Sequence, residues 1–367
     1  MHNKLFIADN VAAVAGGRNM ADAYVMNAQG ANFIDMDTFA AGPVVRELSG
    51  AFDPYWNSDV VYPVAQIAHS RRSMAELRAD FDRAAAAATP PKAAEVPADG
   101  RIAHPAPGEP AQLPADLVQM LDLPYALARR DIGTLLWARA RVLHDPPSKA
   151  EGWNESHDSL AGTVTGGILA WLHTARHDIK MVSPYFIPSE ASARSLVEAR
   201  DKGLGVRVVT NSLASTDVPW VYDAYSPYLK ELLGAGVEVF ELSPSASVKR
   251  GRLGIVGNRT GALHMKNAII DHSQVYLGSM NLDPRSALLN TELGLIIDSP
   301  EMAARLDGFA DDDSWYRLRL NPVDHQVQWL LDHPDGTTTI FDVPPETTVW
   351  RRLEIRLFGP FVPVGDL

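Results

Sequence analysis

The sequence predicts an α/β protein of two related lobes, and three observations carry that prediction. One short pattern of His, Lys, Asp, Gly and Asn occurs twice at the same offsets, starting at residue 2 and again at residue 264. In front of the second copy, strand-like and helix-like runs alternate regularly, as in a sheet with helices packed on its faces. Apolar residues make up 46% of the 367 positions, enough for two packed lobes or one large one.

The first copy is His2, Lys4, Asp9, Gly16, Gly17 and Asn19, and the second is His264, Lys266, Asp271, Gly278, Ser279 and Asn281. Both read H-x-K-x4-D-x6-G-(G/S)-x-N. Apolar runs flank the aspartate in each, LFIA and VAAVA in one, NAII and VYL in the other. Each copy therefore predicts a strand, a tight turn at Asp9-Asn10 or Asp271-His272, and a return strand closed by a glycine turn. Ahead of the second copy come a strand near 137–144, a helix in 162–177, a strand from 178, a helix in 191–203, a strand at 206–212, a helix around 221–236 and a strand at 237–242. From Trp137 to His264 the second half spends 127 residues on such elements, whereas one residue precedes His2. If the halves are duplicates, about 120 residues of the first lobe are absent ahead of Met1.

Four regions are expected on this basis. Residues 1–85 form an N-terminally truncated first lobe with its motif at 2–19, and residues 86–116, rich in Pro and Ala, form a linker or insert. Residues 117–300 form the second lobe with its motif at 264–281. Residues 301–367 add a helix over EMAARLDGFADDDSWY, a hairpin turned at Asp335-Gly336, and a basic amphipathic tail. That tail reads as a docked terminal helix or as an interfacial segment, with Trp350, Leu353, Leu357 and Phe358 toward lipid and Arg351, Arg352 and Arg356 toward headgroups.

Composition excludes several classes. The absence of cysteine rules out disulfides, thiolate nucleophiles and cysteine-ligated zinc. A net charge of −12 disfavours nucleic acid as the main partner, since that binding depends on Lys and Arg neutralising phosphates. Neither a signal peptide nor a spanning segment can be read in the chain, so any membrane contact is expected to be peripheral. His173 and His177, four apart on an expected helix, lack the glutamate of a zinc motif, and no metal or other cofactor is expected.

Two facing copies of the motif would bring two imidazoles, two ammonium groups and two amides to one pocket. Lys4 and Lys266 would place positive charge on the free oxygens of a phosphodiester, with Asn19, Asn281, the Ser279 hydroxyl and Gly17 completing the cradle. One histidine can attack phosphorus while the other protonates the leaving alkoxide, after which the pair exchange roles. A nucleophilic imidazole needs its remote nitrogen held by an acceptor. A carboxylate follows each motif: Glu292 after His264, and Asp35 after His2, with Asp37 the competitor. Asp9 and Asp271 are read as turn residues of structural rather than catalytic use. Tyr185, Phe186 and Pro188, at a strand end on the side where the motif loops gather, are candidates for lining a lipid pocket or for the core.

The doubled motif resembles that of the phospholipase D superfamily, and "GSMNLDPRSALLNTELGLIIDSP" is similar to the second-motif region of bacterial cardiolipin synthases. "GGRNMADAY", "NFIDMDTFAAGPVV", "VSPYFIP" and "TNSLASTDVPWVYDAYSPY" look most like the cardiolipin synthase C subgroup, so the resemblance covers the chain apart from the proline-rich stretch. It implies a phospholipase D fold of two pseudo-symmetric α/β lobes sharing one active site. It further implies phosphatidyl transfer through a phosphohistidine, with His2 and His264 as nucleophile and acid/base and with Lys4, Lys266, Asn19 and Asn281 as the phosphate clamp. The implied substrates are phosphatidylglycerol, alone or with phosphatidylethanolamine, at a bacterial membrane surface. The competing readings are a hydrolase or nuclease of the same superfamily, and an inactive remnant.

Overall fold

The period-2 runs of the sequence become strands of three sheets in a computed structural model that describes residues 1–25, 32–59, 61–67, 72–87, 136–151, 160–245 and 261–363. Of the Pro/Ala-rich stretch expected at 86–116, everything from residue 88 lies outside the described residues. The chain divides into two compact units, Met1–Trp56 with Leu136–Leu367, and Asn57–Leu135.

In the first unit β1 (Leu5–Ala8) and β2 (Ala12–Gly16) form an antiparallel hairpin, followed by β3 (Asn32–Ile34), β4 (Asp37–Ala41) and the helix α1 (Pro43–Trp56). The described part of the second unit holds α2 (Val64–Ile67) and α3 (Met74–Ala87). Ser73 starts α3 with a capping box: its amide and hydroxyl both donate to Glu76, and its hydroxyl accepts from the Glu76 amide.

Back in the first unit, β5 (Arg139–His144), α4 (Val164–Leu172), β6 (Asp178–Val182), α5 (Glu190–Asp201) and β7 (Gly205–Asn211) alternate as expected. Next are α6 (Pro219–Tyr225), α7 (Leu229–Gly234), β8 (Glu238–Leu242), β9 (Gly261–Leu263), β10 (Asn267–Ile270) and β11 (Gln274–Gly278). The chain continues with α8 (Pro284–Leu288), β12 (Leu293–Asp298), α9 (Pro300–Asp307), β13 (Trp315–Leu320), β14 (Val327–Asp332), β15 (Thr338–Phe341) and α10 (Val349–Phe358).

A ten-stranded sheet runs β15-β14-β13-β8-β7-β6-β10-β11-β12-β5, with β6, β7 and β8 parallel. A three-stranded sheet, β1-β2-β4, repeats the local order of β10-β11-β12. Both motif hairpins turn through two residues in the left-handed region, Asp9 and Asn10 at φ 52° and 56°, Asp271 and His272 at 52° and 49°. That geometry matches the right-handed twist of a hairpin, and Asp, Asn and His tolerate it better than branched residues. Ala13, Ala15, Val45 and Leu48 of the first half pack on Leu293, Leu295 and Ile297 of β12, closing one face of the large sheet. The opposite face carries the main core under α4, α5 and α6.

Two elements differ from the sequence reading. The helix expected around 221–236 is interrupted by a 3₁₀ turn at Ser226–Tyr228, because Pro227 has no N–H to continue the ladder. The helix expected through Tyr316 ends at Asp307, and Trp315–Leu320 is a strand whose buried Trp315, Tyr316 and Leu318 flank an exposed Arg317. The C-terminal α10 docks through Ile355 and carries Trp350, Leu353 and Leu357 exposed. Arg352, expected at headgroups, instead donates to the carbonyl and hydroxyl of Thr347 at 2.9 and 2.8 Å. No helix among the described residues is long and apolar enough to cross a membrane.

Candidate active site

β3 and β9 come from different halves of the sequence yet pair in parallel, Ile34 beside Leu263. The Ile34 carbonyl accepts from the amides of His264 and Met265 at 2.8 and 3.0 Å. One residue past each strand, Asp35 Oδ2 stands 2.6 Å from His264 Nδ1. The mirror relation holds for the first copy, where the His2 amide donates to the Thr291 carbonyl at 2.9 Å. The oxygens of Glu292 then lie 3.0 and 2.9 Å from His2 Nδ1. Each histidine is thus oriented by a carboxylate of the other half. Chain order suggested Glu292 for His264 and Asp35 for His2; strand pairing exchanges them.

A carboxylate on Nδ1 keeps the proton there and leaves Nε2 to face the pocket. Burial lowers the pKa of His264, against the pull of Asp35, so the neutral imidazole is the resting form at neutral pH. The lysines repeat one arrangement: Lys4 Nζ donates to the His2 carbonyl at 2.8 Å, and Lys266 Nζ donates to that of His264. Burial lowers the pKa of Lys4, and it pushes Lys266, 2% exposed, down to about 7. Lys266 feels the charges of Lys4 and Glu292, and Lys4 feels Asp35, so the two copies share one electrostatic neighbourhood. Two desolvated amines in one pocket are stabilised by an anion between them.

The other expected clamp residues divide. Asn281 is buried, and its Oδ1 has no partner among the described residues. Asn19 is exposed and donates to the Tyr24 hydroxyl at 2.8 Å. Ser279, expected on the phosphate, has its hydroxyl 2.5 Å from Glu292 Oε2. Gly17 commits its N–H to the Met36 carbonyl at 3.1 Å; its contribution is room, since a Cβ there would stand 2.2 Å from Asp35 Oδ1. Asp37, the competitor of Asp35, pairs instead with Arg18 at 2.9 Å. Asp271 accepts from the amides of Arg176, His177 and Asp178, which outweigh burial and hold its carboxyl below the usual range. Asp9 sits exposed at the tip of its hairpin. His272 bridges Asp178 and Asp307, both at 2.9 Å. Among the described residues no group of His, Asp and Glu is placed to hold a metal.

Sequence reasoning missed four supports. Asp145 accepts from the Glu292 amide at 2.8 Å and from the Val164 amide at 2.8 Å, and its carboxylate meets buried Lys149 at 2.7 Å. Tyr24 sets its hydroxyl 3.5 Å from His264 Nε2 and its ring edge-on to the imidazole. Arg18 donates to the carbonyls of Tyr24 and Asp35 at 2.7 and 2.9 Å, bracing the orienting strand. Asp283 caps α8 through the Ser286 amide at 2.6 Å, with its carboxyl pushed up by burial to about 6. Only the last was legible locally, as an Asp-Pro helix start.

The family "Cardiolipin synthase, PLD-like domain" matches residues 168–313. Cardiolipin synthase C of Escherichia coli (strain K12) is 33% identical over 375 residues, covering 97% of this chain and 71% of that protein. The chain belongs to the cardiolipin synthase family of the phospholipase D superfamily. An uncharacterized protein of Helicobacter pylori (strain ATCC 700392 / 26695) is 28% identical over 372 residues, with coverage of 100% and 67%. The crystal structure of phosphatidylserine synthase from Haemophilus influenzae matches with a TM-score of 0.53 at 14% identity, covering 98% of this chain and 69% of that one. That likeness shows the phospholipase D fold expected of a family member.

Proposed function

We propose that the chain is a phosphatidyltransferase that makes cardiolipin from phosphatidylglycerol through a phosphohistidine. The observation that carries the reading is the pair of crossed dyads, His264 on Asp35 and His2 on Glu292, beside buried Lys266 and half-buried Lys4. His264 is the nucleophile in this scheme, because it is buried and neutral with its Nδ1 proton on Asp35. Its Nε2 forms a bond to phosphorus as the bond from phosphorus to the headgroup oxygen breaks, and protonated His2 gives its Nε2 proton to the departing alkoxide. A hydroxyl of a second phosphatidylglycerol, deprotonated by His2, then attacks phosphorus and displaces His264 as neutral imidazole. One glycerol leaves for each cardiolipin formed. Lys4, Lys266 and the Asn281 amide hold the phosphate oxygens throughout, as preorganised donors in a desolvated site.

Peripheral membrane contact belongs to the same reading. α10 turns Trp350, Leu353 and Leu357 outward on the side away from docked Ile355, with Arg351 and Arg356 beside them, a composition suited to an anionic lipid surface.

The test is purified protein on phosphatidylglycerol vesicles, with and without phosphatidylethanolamine, with products read by mass spectrometry. Cardiolipin with equimolar glycerol is expected, and none from His264→Ala. Phosphatidic acid alone would make the protein a hydrolase. Equal turnover by parent and His264→Ala would remove catalysis from this site, and cleavage of single-stranded DNA in chelator without lipid turnover would favour a nuclease.

A further inference from the structure

A cavity of about 370 Å³ lies on the face of the large sheet away from the first half, between α4 and α5, with Ile179 and Met181 of β6 as its floor. We infer that it holds one acyl chain of the phospholipid, an inference that rests on the lipid reading above and deepens it. Its lining runs beside β6, from Phe186 and Pro188 beyond the end of the strand nearest the histidines to Ala175 and Leu204 at the opposite end. β6, five residues long, spans about 16 Å at roughly 3.3 Å per residue, and a lining that reaches past both of its ends suits an extended hydrocarbon chain rather than a compact headgroup.

The chemistry of the walls selects the occupant. Ile168 and Leu172 of α4 face Leu196 and Ala199 of α5, and the exposed polar groups His173, Glu198 and Lys202 gather at the end remote from the site. A peptide would bring backbone amides that need partners, and these apolar walls offer few. A chain of methylenes asks for none. The volume also falls in the range of small-ligand pockets, about 300–1,000 Å³.

Continuity with the site decides which hydrocarbon. Ser279 touches Glu292 and Asn281 is the buried clamp amide, while Met280 and Leu282, their neighbours in sequence, line the cavity, as do Asp283 and Pro284. One extended segment therefore presents polar groups at the phosphate site and apolar side chains to the trough. Phe186 and Pro188, singled out in the sequence as candidate lipid contacts, line the trough, and the bridge from Phe186 to Leu282 ties them to that segment. Tyr185 turns away to donate to Asp217 at 2.9 Å.

Burial of one methylene is worth about fourfold in affinity, so several in the trough dominate binding of a long-chain lipid. The experiment uses the full chain with Leu196→Trp, which narrows the trough between α4 and α5, and Ala199→Trp, nearer the remote end, as a second variant. Binding of cis-parinaric acid is read by fluorescence, and kcat/KM is measured on dioleoyl phosphatidylglycerol vesicles and on monomeric dihexanoyl phosphatidylglycerol. Parent protein is expected to bind parinaric acid one to one. Each folded variant should bind at least tenfold more weakly and lose at least tenfold on the dioleoyl lipid, within twofold of parent on the dihexanoyl lipid. Equal parinaric binding by parent and both variants, or none by the parent, would overturn the assignment, as would equal losses on both lipids. Parinaric binding that the variants abolish, in a protein that turns over neither lipid, would leave the trough standing and sink the phosphatidyltransferase reading.

Discussion

Replacing Glu292 with Gln tests the crossed dyads directly. The Glu292 side chain is fully buried, its oxygens 2.9 and 3.0 Å from His2 Nδ1, and Ser279 adds a hydroxyl donor. Glutamine keeps the shape and one acceptor for Nδ1, but it removes the charge and turns an NH₂ toward one of two donors. Ser279 can then turn to the Leu293 carbonyl, already 3.2 Å away, so the fold has an outlet. A hydrogen bond to a charged partner is worth about 1.5–3 kcal/mol net. At about 1.36 kcal/mol per decade, Glu292→Gln should slow turnover of a p-nitrophenyl phosphodiester by about 10- to 150-fold.

Rate alone does not say which histidine lost its partner, so the second readout is the ring Nδ1 proton in NMR, assigned with His2→Ala and His264→Ala. Glu292→Gln should abolish or shift the His2 signal and leave that of His264 in place, and Asp35→Asn should do the reverse. Thermal unfolding within a few degrees of the parent guards against a global effect. A shifted His264 signal in Glu292→Gln, or full activity with both signals intact, would refute the cross-half pairing.

Two further outcomes follow from the surrounding charges. Asp145→Asn leaves Lys149 buried and unpaired and should cost about 3–5 kcal/mol in denaturant unfolding, with most of it restored by adding Lys149→Met; a loss under 1 kcal/mol would mean that the pair does not support the Glu292 strand. The folded pKa of Lys266, about 7 against 10.5 for a free lysine, means that the unfolded chain holds the extra proton between those values, so stability should rise with pH across that window and flatten in Lys266→Met. In the proposed scheme Lys266 holds phosphate as a cation, and that charge is lost as pH rises through about 7. Dimethyl phosphate, which does not titrate there, should therefore bind with proton uptake in calorimetry, and unchanged uptake in Lys266→Met would exclude that lysine as the source.

What the sequence disclosed follows the range of the interactions. Motif hairpins are local: strand, left-handed turn and return strand are set within about 15 residues by alternation and turn chemistry, so His2, Lys4, His264 and Lys266 were found from spacing alone. Glu292 and Asp35 were visible as carboxylates in apolar runs. Their partners were not, because the pairs lie 290 and 229 residues apart and are decided by long-range backbone pairing, the His2 amide on the Thr291 carbonyl for one and β3 with β9 for the other, which leaves no periodic trace. Asp145 and Lys149 stand only four residues apart, but that the aspartate holds the Glu292 amide is visible only in the fold.

Exchange of partners also bears on why the two copies are not equivalent. Asp35 gives Oδ2 to His264 at 2.6 Å and takes its second donor, the Met36 amide, on the other oxygen. Glu292 receives the Ser279 hydroxyl on Oε2, one of the two oxygens near His2. The first copy has Gly17 where the second has Ser279, and a Cβ there would collide with Asp35, so the tighter approach requires the glycine. His264 therefore has the undivided acceptor and the deeper burial, whereas His2 is a quarter exposed and shares its carboxylate with a hydroxyl. In a two-step transfer the nucleophile must hold one position while phosphorus bonds to it, and the acid/base must exchange a proton with an arriving alcohol. Under the two-step scheme proposed above, the asymmetry at Gly17 and Ser279 suits His264 to the fixed role and His2 to the open one, and Ser279→Gly, which frees Glu292, should narrow the difference without exchanging the roles.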